Sequence, residues 1–281
     1  MCIHAPFKWH DMHTQNSGQA QPMSDTILIQ RDGSIATVVL NRPEKLNALT
    51  RFMWRQLGDA ISGLSAEDDI RCIVLRGAGD KAFAPGNDIS EFEHERANVE
   101  QARAYGKIMH DTLAALEHCR HPLVAMIKGV CVGGGLEIAA NCDLRICGES
   151  SRFGAPVNKL GLVMAHAELR GLLALVGRAT ALEILLEGRV FDAREAKEKG
   201  LVTRITPDDK VEEEAYAAAR RIAEGAPLVA RWHKAFARRL ADPRPLTQAE
   251  IDEGYACFGT EDFRIGYRAF LDKRKPEFKG R

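Results

Sequence analysis

Apolar residues fall into short unbroken runs in parts of the chain and recur at a helical period in others. Short apolar runs are typical of buried strands, whereas recurrence every three to four residues is typical of helices. We predict strands at residues 27–30, 35–40, 70–75, 123–127 and 143–147. The first two flank Asp32 and Gly33, a pair typical of a hairpin turn.

Two long helices are predicted in the first half of the chain. One begins after Thr50, a residue type that caps helices, and keeps its apolar positions at a helical period through Leu64. The other covers residues 99–118, with Tyr105, Met109 and Leu113 on one face. After about residue 165 the pattern is mostly helical, with helices predicted at residues 179–187, 193–199, 211–224, 228–240, 248–257 and 262–273.

Strands that alternate with helices predict an α/β fold. We divide the chain into a disordered extension (1–23), an α/β core (24–205) and a helical C-terminal region (206–281). The extension is polar and lacks the basic-then-apolar order of a signal peptide. Its His4, His10 and His13 could bind a metal ion, but we predict no metal site.

Composition narrows the class of protein. The chain has 281 residues, and its 39 basic residues balance its 39 acidic ones, which gives no sign of a nucleic-acid or membrane-surface partner. No apolar stretch is long enough to suggest a membrane-spanning helix. Seven scattered cysteines, an odd number without a Cys-x-x-Cys pattern, argue against a secreted disulfide scaffold. We therefore expect a cytoplasmic protein with reduced thiols.

Two glycine-containing turns carry the candidate chemistry. They are KAFAPGNDI at residues 81–89 and GVCVGGGLE at residues 129–137. Backbone N–H groups at a helix start lack intrahelical partners, so two such turns could direct two donors at one negatively charged oxygen. Neither turn matches a P-loop or a dinucleotide-binding pattern. The alternative is that Gly133, Gly134 and Gly135 only allow close packing of a helix against a strand.

Six segments in order resemble the crotonase family, also called the enoyl-CoA hydratase/isomerase family. They are NRPEKLNAL (41–49), KAFAPGNDI (81–89), GGGLEIAANCDLRI (133–146), FGAP (153–156), DAREAKEKGLV (192–202) and RAFLDKRKPEF (268–278). The resemblance implies a spiral of repeated ββα units followed by a helical trimerisation region. It also implies an acyl-CoA substrate and an oxyanion hole formed by the backbone N–H groups of Asn87 and Gly134.

The same resemblance places coenzyme A, here part of the substrate and not a separate cofactor. The residues implied to contact it are Lys45, Leu46, Ala48, Ala84, Gly86, Asp88 and Ile89. Phe270 and Lys273 would reach the nucleotide from a neighbouring subunit, in a homotrimer or a dimer of trimers. Without the resemblance, Lys273 is a solvated charge and the aromatic residues 258, 263, 267 and 270 are equally well core residues.

Glu137 is the candidate catalytic acid/base. Its apolar neighbours predict a partly desolvated carboxylate, which suits acid–base work, and the resemblance places a catalytic glutamate there. The alternative is a glutamate that only complements the dipole of its helix.

The second acid of enoyl-CoA hydratases is absent from its usual place, where this chain has Val157. His166 and Glu168 are possible replacements, although a helix start would suit Glu168 as a dipole partner and His166 as an exposed turn residue. Three functions stay open: hydration of a 2-enoyl-CoA, a different reaction of the family (isomerisation, decarboxylation or thioester hydrolysis), or acyl-CoA binding without turnover.

Overall fold

The structure, a computed structural model, describes residues 25–281; the predicted extension and its three histidines lie outside this range. The strands are β1 (Ile27–Asp32), β2 (Ile35–Leu40), β3 (Cys72–Gly77), β4 (Ala82–Ala84), β5 (Leu123–Ile127), β6 (Val130–Val132), β7 (Leu144–Gly148), β8 (Arg152–Gly154), β9 (Val190–Asp192) and β10 (Arg204–Thr206). The helices are α1 (Arg51–Ala66), α2 (Phe92–Glu95), α3 (Val99–His118), α4 (Gly134–Ala140), α5 (His166–Glu187), α6 (Ala193–Glu198), α7 (Val211–Ala223), α8 (Pro227–Leu240), α9 (Gln248–Glu253) and α10 (Glu261–Leu271).

The strands form two sheets. The first has six strands in the order β1-β2-β3-β5-β7-β10, and the second has four in the order β4-β6-β8-β9. Strands β2, β3, β5 and β7 run parallel in the first sheet, and β4, β6 and β8 run parallel in the second. Three successive strand pairs, β3–β4, β5–β6 and β7–β8, therefore each add one strand to each sheet before the chain enters a helix. This repetition is the predicted spiral of ββα units, and the α/β fold class is confirmed.

Local sequence signals account for many element boundaries. Gly33 adopts a positive φ of 56° in the hairpin between β1 and β2, as its sequence context predicts. The Thr50 side chain accepts a hydrogen bond from the Met53 N–H at 3.1 Å and begins α1. Asn98 caps α3 in the same way, through Gln101 N–H at 3.0 Å. The buried face of α1 packs against α3, which encloses the core on that side.

Several predicted boundaries are wrong. The strands predicted at 70–75 and 143–147 lie one or two residues further along the chain, and α9 ends at Glu253 before a 3-10 turn. Helix α5 begins at His166, thirteen residues before the helix predicted at 179, because Gly177 interrupts its helical dihedrals with a φ of 72° and masks the period. The short strands of the second sheet were not predicted as a set, since three residues show too little periodicity.

The last four helices differ in their surroundings. Helix α7 packs its small apolar residues against β3, β5 and β7 of the first sheet. Four aromatic residues that follow α7 are exposed to solvent: Phe258, Phe263, Tyr267 and Phe270. The alternative prediction that they are core residues is therefore wrong. None of the helices in residues 25–281 is long and apolar enough to cross a membrane. Five of the cysteines in this range are buried as free thiols, and the sixth, Cys257, is half-buried.

Candidate active site

The two glycine-containing turns touch each other. They follow β4 and β6, which are parallel neighbours in the second sheet. Gly86 has a φ of 112°, and a Cβ atom there would lie 3.2 Å from the backbone nitrogen of Gly134. Gly133 has a φ of 52°, which a residue with a side chain rarely adopts. The glycines therefore permit both the bends and the close approach of one turn to the other.

Two backbone N–H groups are left free at this contact. Leu49 donates to the Gly86 carbonyl and accepts from Asp88 N–H, both at 2.8 Å, so Asn87 between them turns its own N–H away from Leu49. Gly134 is the first residue of α4, where a helix N–H has no intrahelical acceptor. Neither N–H finds an acceptor within residues 25–281. Two adjacent unpaired donors can bind an oxygen that carries negative charge.

The side chain of Asn87 anchors its turn. The indole N–H of buried Trp54 donates to Asn87 Oδ1 at 2.6 Å, and Asn87 Nδ2 lies 3.7 Å from the Met109 sulfur. Trp54 also packs under Gly134, where an added Cβ would lie 3.0 Å from its ring. One residue of α1 thus supports both turns, and sequence analysis did not identify it as part of the site.

Glu137 lies in the first turn of α4 with only 5% of its surface exposed. Its Oε2 atom is buried without a hydrogen-bond partner in the part of the chain that the structure describes. Burial, and secondarily the charge of Glu168, raises the pKa of Glu137 to about 8, while the charge of Arg96 acts in the opposite direction. The carboxyl is therefore largely protonated at neutral pH. A glutamate that only complemented a helix dipole would gain nothing from this burial.

Glu168 is also buried, and it is the carboxylate whose charge reaches Glu137. Its Oε2 accepts a hydrogen bond from the Ala165 N–H at 2.8 Å, at the start of α5. Its Oε1 lies 3.1 Å from Nε2 of His110, on α3. The two contacts hold the Glu168 side chain in place. The site therefore joins the buried Glu137 carboxyl to a second carboxyl group that is anchored by hydrogen bonds.

The other candidates for the second acid differ in position. Val157 is half-buried on the 3-10 turn Pro156–Leu160 and offers no proton-transfer group. His166 is exposed as the first residue of α5, and its side chain forms no hydrogen bond with the rest of residues 25–281. Of His166 and Glu168, only Glu168 interacts with Glu137.

The segments predicted to contact coenzyme A lie side by side. The pairing of Leu49 with Asn87 aligns Lys45, Leu46 and Ala48 with the segment that holds Ala84, Gly86, Asp88 and Ile89. Buried Asn47, which has a φ of 63°, donates to the carbonyl oxygens of Ala78 at 3.1 Å and Ala82 at 2.8 Å. An ion pair of 2.6 Å between Arg42 and Asp88 also joins the segments.

The Asp88 carboxylate is occupied within the chain. Burial opposes its ionisation, but hydrogen bonds from Ser90 and Arg42 outweigh burial and lower the pKa of Asp88. At the other end of the chain, Phe270 is 84% exposed on α10 and Lys273 follows that helix. No hydrogen bond or ion pair in residues 25–281 joins these two residues to the segments at 45–48 and 84–89.

Two further residues of α3 belong to the site, and sequence analysis did not assign them a role. His110 contacts Glu168, and Tyr105 donates to Glu91 at 3.0 Å with its hydroxyl 3.5 Å from the Leu49 carbonyl. Tyr105 was predicted on the apolar face of the helix. His110, one position after Met109, could have been found only by asking which polar residues border that face.

Comparison with known proteins places the chain and its fold in one family. A family model described as enoyl-CoA hydratase/isomerase matches residues 30–281. The chain is 35% identical over 260 residues to a probable enoyl-CoA hydratase, echA8, of Mycobacterium bovis, covering 92% of this chain and 99% of the relative. It is 31% identical over 266 residues to the short-chain-enoyl-CoA hydratase of Clostridium acetobutylicum, with the same coverage of 92% and 99%.

A solved structure is also similar over nearly the whole described chain. The crystal structure of an enoyl-CoA hydratase/carnithine racemase from Magnetospirillum magneticum superposes with a TM-score of 0.90 at 51% sequence identity. The match covers 92% of this chain and 97% of that one.

Proposed function

The chain belongs to the enoyl-CoA hydratase/isomerase family, and on this premise we propose that it adds water to the double bond of a 2-enoyl-CoA. One observation carries the proposal: Glu137 and Glu168 form a buried, electrostatically linked carboxyl pair in the same site as the free N–H groups of Asn87 and Gly134. Glu168, from the start of α5, takes the place of the second acid that Val157 cannot supply.

The oxyanion hole acts on the thioester. Addition of water to the β-carbon pushes electrons through the double bond onto the thioester oxygen, which becomes an enolate. The Asn87 and Gly134 N–H groups would donate to that oxygen, and because they belong to fixed turns they need no reorganisation as charge develops. The segments at 45–48 and 84–89 would hold coenzyme A beside them.

The two carboxyl groups divide the proton transfers. Glu168, held in place by Ala165 and His110, would accept a proton from water as the water oxygen bonds to the β-carbon. Glu137, protonated at neutral pH, would deliver its proton to the α-carbon as the enolate collapses to the thioester. One water molecule is consumed, and proton exchange with solvent returns both groups to their starting states.

The Glu168→Gln variant tests this assignment. Glutamine keeps the size and the acceptor for Ala165 N–H but cannot accept the proton of water. We expect kcat for crotonyl-CoA hydration to fall about 100-fold or more, with a small change in KM. The reaction is followed by the loss of absorbance of the conjugated thioester.

Glu250→Gln is the matched control. Glu250 occupies the equivalent position at the start of α9, where its Oε2 accepts from Thr247 N–H at 2.7 Å, but it lies outside the site. Wild-type kcat in the Glu168→Gln variant would refute the role of Glu168. Failure of the wild type to hydrate any member of a panel of 2-enoyl-CoA thioesters would refute the proposed function itself.

His110 is a positioning residue in this scheme, because it acts on substrate only through Glu168. We expect His110→Leu to lower kcat about tenfold with KM nearly unchanged, since the anchored carboxylate loses a charge-assisted hydrogen bond. His110→Gln, whose amide N–H can still donate to Glu168, should recover most of kcat.

His118→Leu controls for changes to α3 alone. His118 lies on the same helix, is exposed, and bonds the Ala114 carbonyl of its own helix at 2.8 Å. Steady-state kinetics and thermal melting on all three variants separate positioning from folding. Equal kcat in the Leu and Gln variants at position 110, both reduced, would contradict a positioning role.

A further inference from the structure

The Arg96 side chain stacks on two aromatic rings and forms no ion pair within residues 25–281. Arg96 follows α2, and its guanidinium carbon lies 4.6 Å from the ring centroid of Phe92 and 5.0 Å from that of Tyr105. Its side chain is half-buried. Within the described range 25–281 it has no carboxylate at ion-pair distance and forms no side-chain hydrogen bond. A guanidinium positioned over two rings is held by their faces, while its N–H edges stay available.

Two acidic residues close to Arg96 in the sequence, Glu91 and Glu95, are already engaged by other groups. Glu95, its neighbour in sequence, pairs with Arg51 at 2.6 Å. Glu91 accepts from the Arg51 backbone N–H at 2.8 Å and from the Tyr105 hydroxyl at 3.0 Å. The chain therefore offers several carboxylates near Arg96, yet it directs them to Arg51 and Tyr105. Among residues 25–281, none of these carboxylates is left to pair with the Arg96 guanidinium.

Arg96 lies near the Asn87 turn and Glu137, where the proposed function puts the acyl group. Tyr105, on which it stacks, approaches the carbonyl of Leu49, the residue that pairs with Asn87. Met109, one helical turn after Tyr105, contacts the Asn87 side chain. The charge of Arg96 also reaches Glu137, where it lowers the pKa against the larger effects of burial and Glu168. Of the residues expected at the nucleotide end, Phe270 lies on a different helix, α10, and Lys273 follows that helix.

We propose that Arg96 binds a carboxylate at the distal end of the acyl group, so that the preferred substrates are 2-enoyl-CoA thioesters whose acyl chain ends in a carboxylate. The proposal rests on the proposed function and specifies its substrate class. A carboxylate matches the planar fork of a guanidinium, which can donate two parallel hydrogen bonds. A methyl-ended acyl chain would leave the positive charge of Arg96 without a partner beside the substrate.

Binding of unreactive thioesters tests the inference without turnover. Glutaryl-CoA and butyryl-CoA both lack the double bond, share the whole of coenzyme A, and differ by the terminal carboxylate. We expect the wild type to bind glutaryl-CoA at least about tenfold more tightly by calorimetry, and Arg96→Met to abolish that preference. Arg96→Lys, which keeps the charge but not the fork, should retain part of it.

Steady-state kinetics on two enoyl-CoA substrates provide a second test of the inference. The two substrates are crotonyl-CoA and trans-glutaconyl-CoA, in which the terminal methyl group of the crotonyl chain carries a carboxylate. We expect Arg96→Met to lower kcat/KM about 100-fold for glutaconyl-CoA and less than about threefold for crotonyl-CoA. Arg103→Met, an exposed arginine on α3, is the control and should change neither.

The outcomes are distinguishable. Equal losses on both substrates would overturn the inference, because a contact with the coenzyme A phosphates or an effect on Glu137 acts on both alike. A wild type that binds glutaryl-CoA no more tightly than butyryl-CoA would also overturn it. If glutaryl-CoA is preferred in an Arg96-dependent manner but neither enoyl thioester is hydrated, the carboxylate site stands and the proposed hydratase function fails.

Discussion

Replacing Glu137 by glutamine should lower kcat for crotonyl-CoA hydration about 1000-fold, equivalent to about 4 kcal/mol of activation free energy. Glutamine keeps the shape of the side chain but has no proton to deliver to the α-carbon. KM should change little, because the thioester is held by backbone donors and not by this side chain. A variant that hydrates crotonyl-CoA at the wild-type rate would refute the catalytic role of Glu137.

Glu100→Gln is the matched control for the helix-dipole alternative. Glu100 also lies in the first turn of a helix, α3, but it is exposed. If Glu137 acted only on the dipole of α4, the two variants should lose similar, small amounts of stability and no activity. We expect activity to separate them by about three orders of magnitude.

The stability of Glu137→Gln should depend on pH differently from that of the wild type. Burial and the charge of Glu168 raise the pKa of Glu137 to about 8, above the value of a carboxyl in an unfolded chain. Its contribution to stability is therefore complete below the unfolded value and is lost as pH rises through about 8. Because glutamine does not titrate, Glu137→Gln should gain stability relative to the wild type as pH rises from about 5 to about 9.

Wild-type kcat should fall over the same pH range, since the protonated carboxyl is the form that delivers the proton. Chemical denaturation at several pH values and a kcat profile test both statements. A kcat that keeps rising above about pH 9 would contradict the assignment of Glu137 as the acid.

Replacing Gly135 by alanine should lower the free energy of unfolding by about 3 kcal/mol or more. A Cβ atom there would lie 2.2 Å from the carbonyl oxygen of Ala84 and 2.9 Å from its carbonyl carbon, and backbone atoms cannot move aside as a side chain would. Helix α4 must then shift away from β4. Thermal melting should show a decrease of about 6–12 °C.

The shift should also reduce activity in the fraction that folds, because β4 leads to Asn87 while α4 begins with Gly134. Gly63→Ala is the control: Gly63 lies in α1, and a Cβ atom there meets nothing within 4 Å. Alanine at that position should leave stability unchanged or raise it by up to about 1 kcal/mol. Equal melting temperatures for the two variants would contradict the close packing of α4 on β4.

Elements with their own local signals were predictable from sequence. Helix α3 was predicted with the bounds observed, because Asn98 caps it and its apolar face is continuous. The start of α5 was not, since Gly177 breaks the period within it. The second sheet was not predicted, because its strands have only three residues each. Hydrogen bonding with neighbouring strands, more than periodicity, defines them.

The residues of the candidate site also differ in whether a local sequence pattern marks them. Two turn motifs predicted a pair of backbone donors, the family resemblance assigned them to Asn87 and Gly134, and both N–H groups lack an acceptor within residues 25–281. The contact of Glu168 with His110 could not be predicted in this way, because it depends on how α5 packs against α3. From the sequence, Glu168 was only one of two residues that could replace the acid missing at position 157. Interaction with Glu137 across helices, which no local pattern encodes, distinguishes it from His166.

The donor at Asn87 belongs to the main chain, so nearly every codon change at that position preserves it; only proline lacks the N–H. The residue type found at position 87 in a related gene is therefore a poor guide to whether the donor survives. Turn length and the presence of glycine at positions 86 and 134 are better guides, because there an added side chain meets backbone or Trp54. Carboxyl groups such as Glu137 and Glu168 can be gained or lost by single substitutions, whereas the two backbone N–H donors of the oxyanion hole persist through such changes.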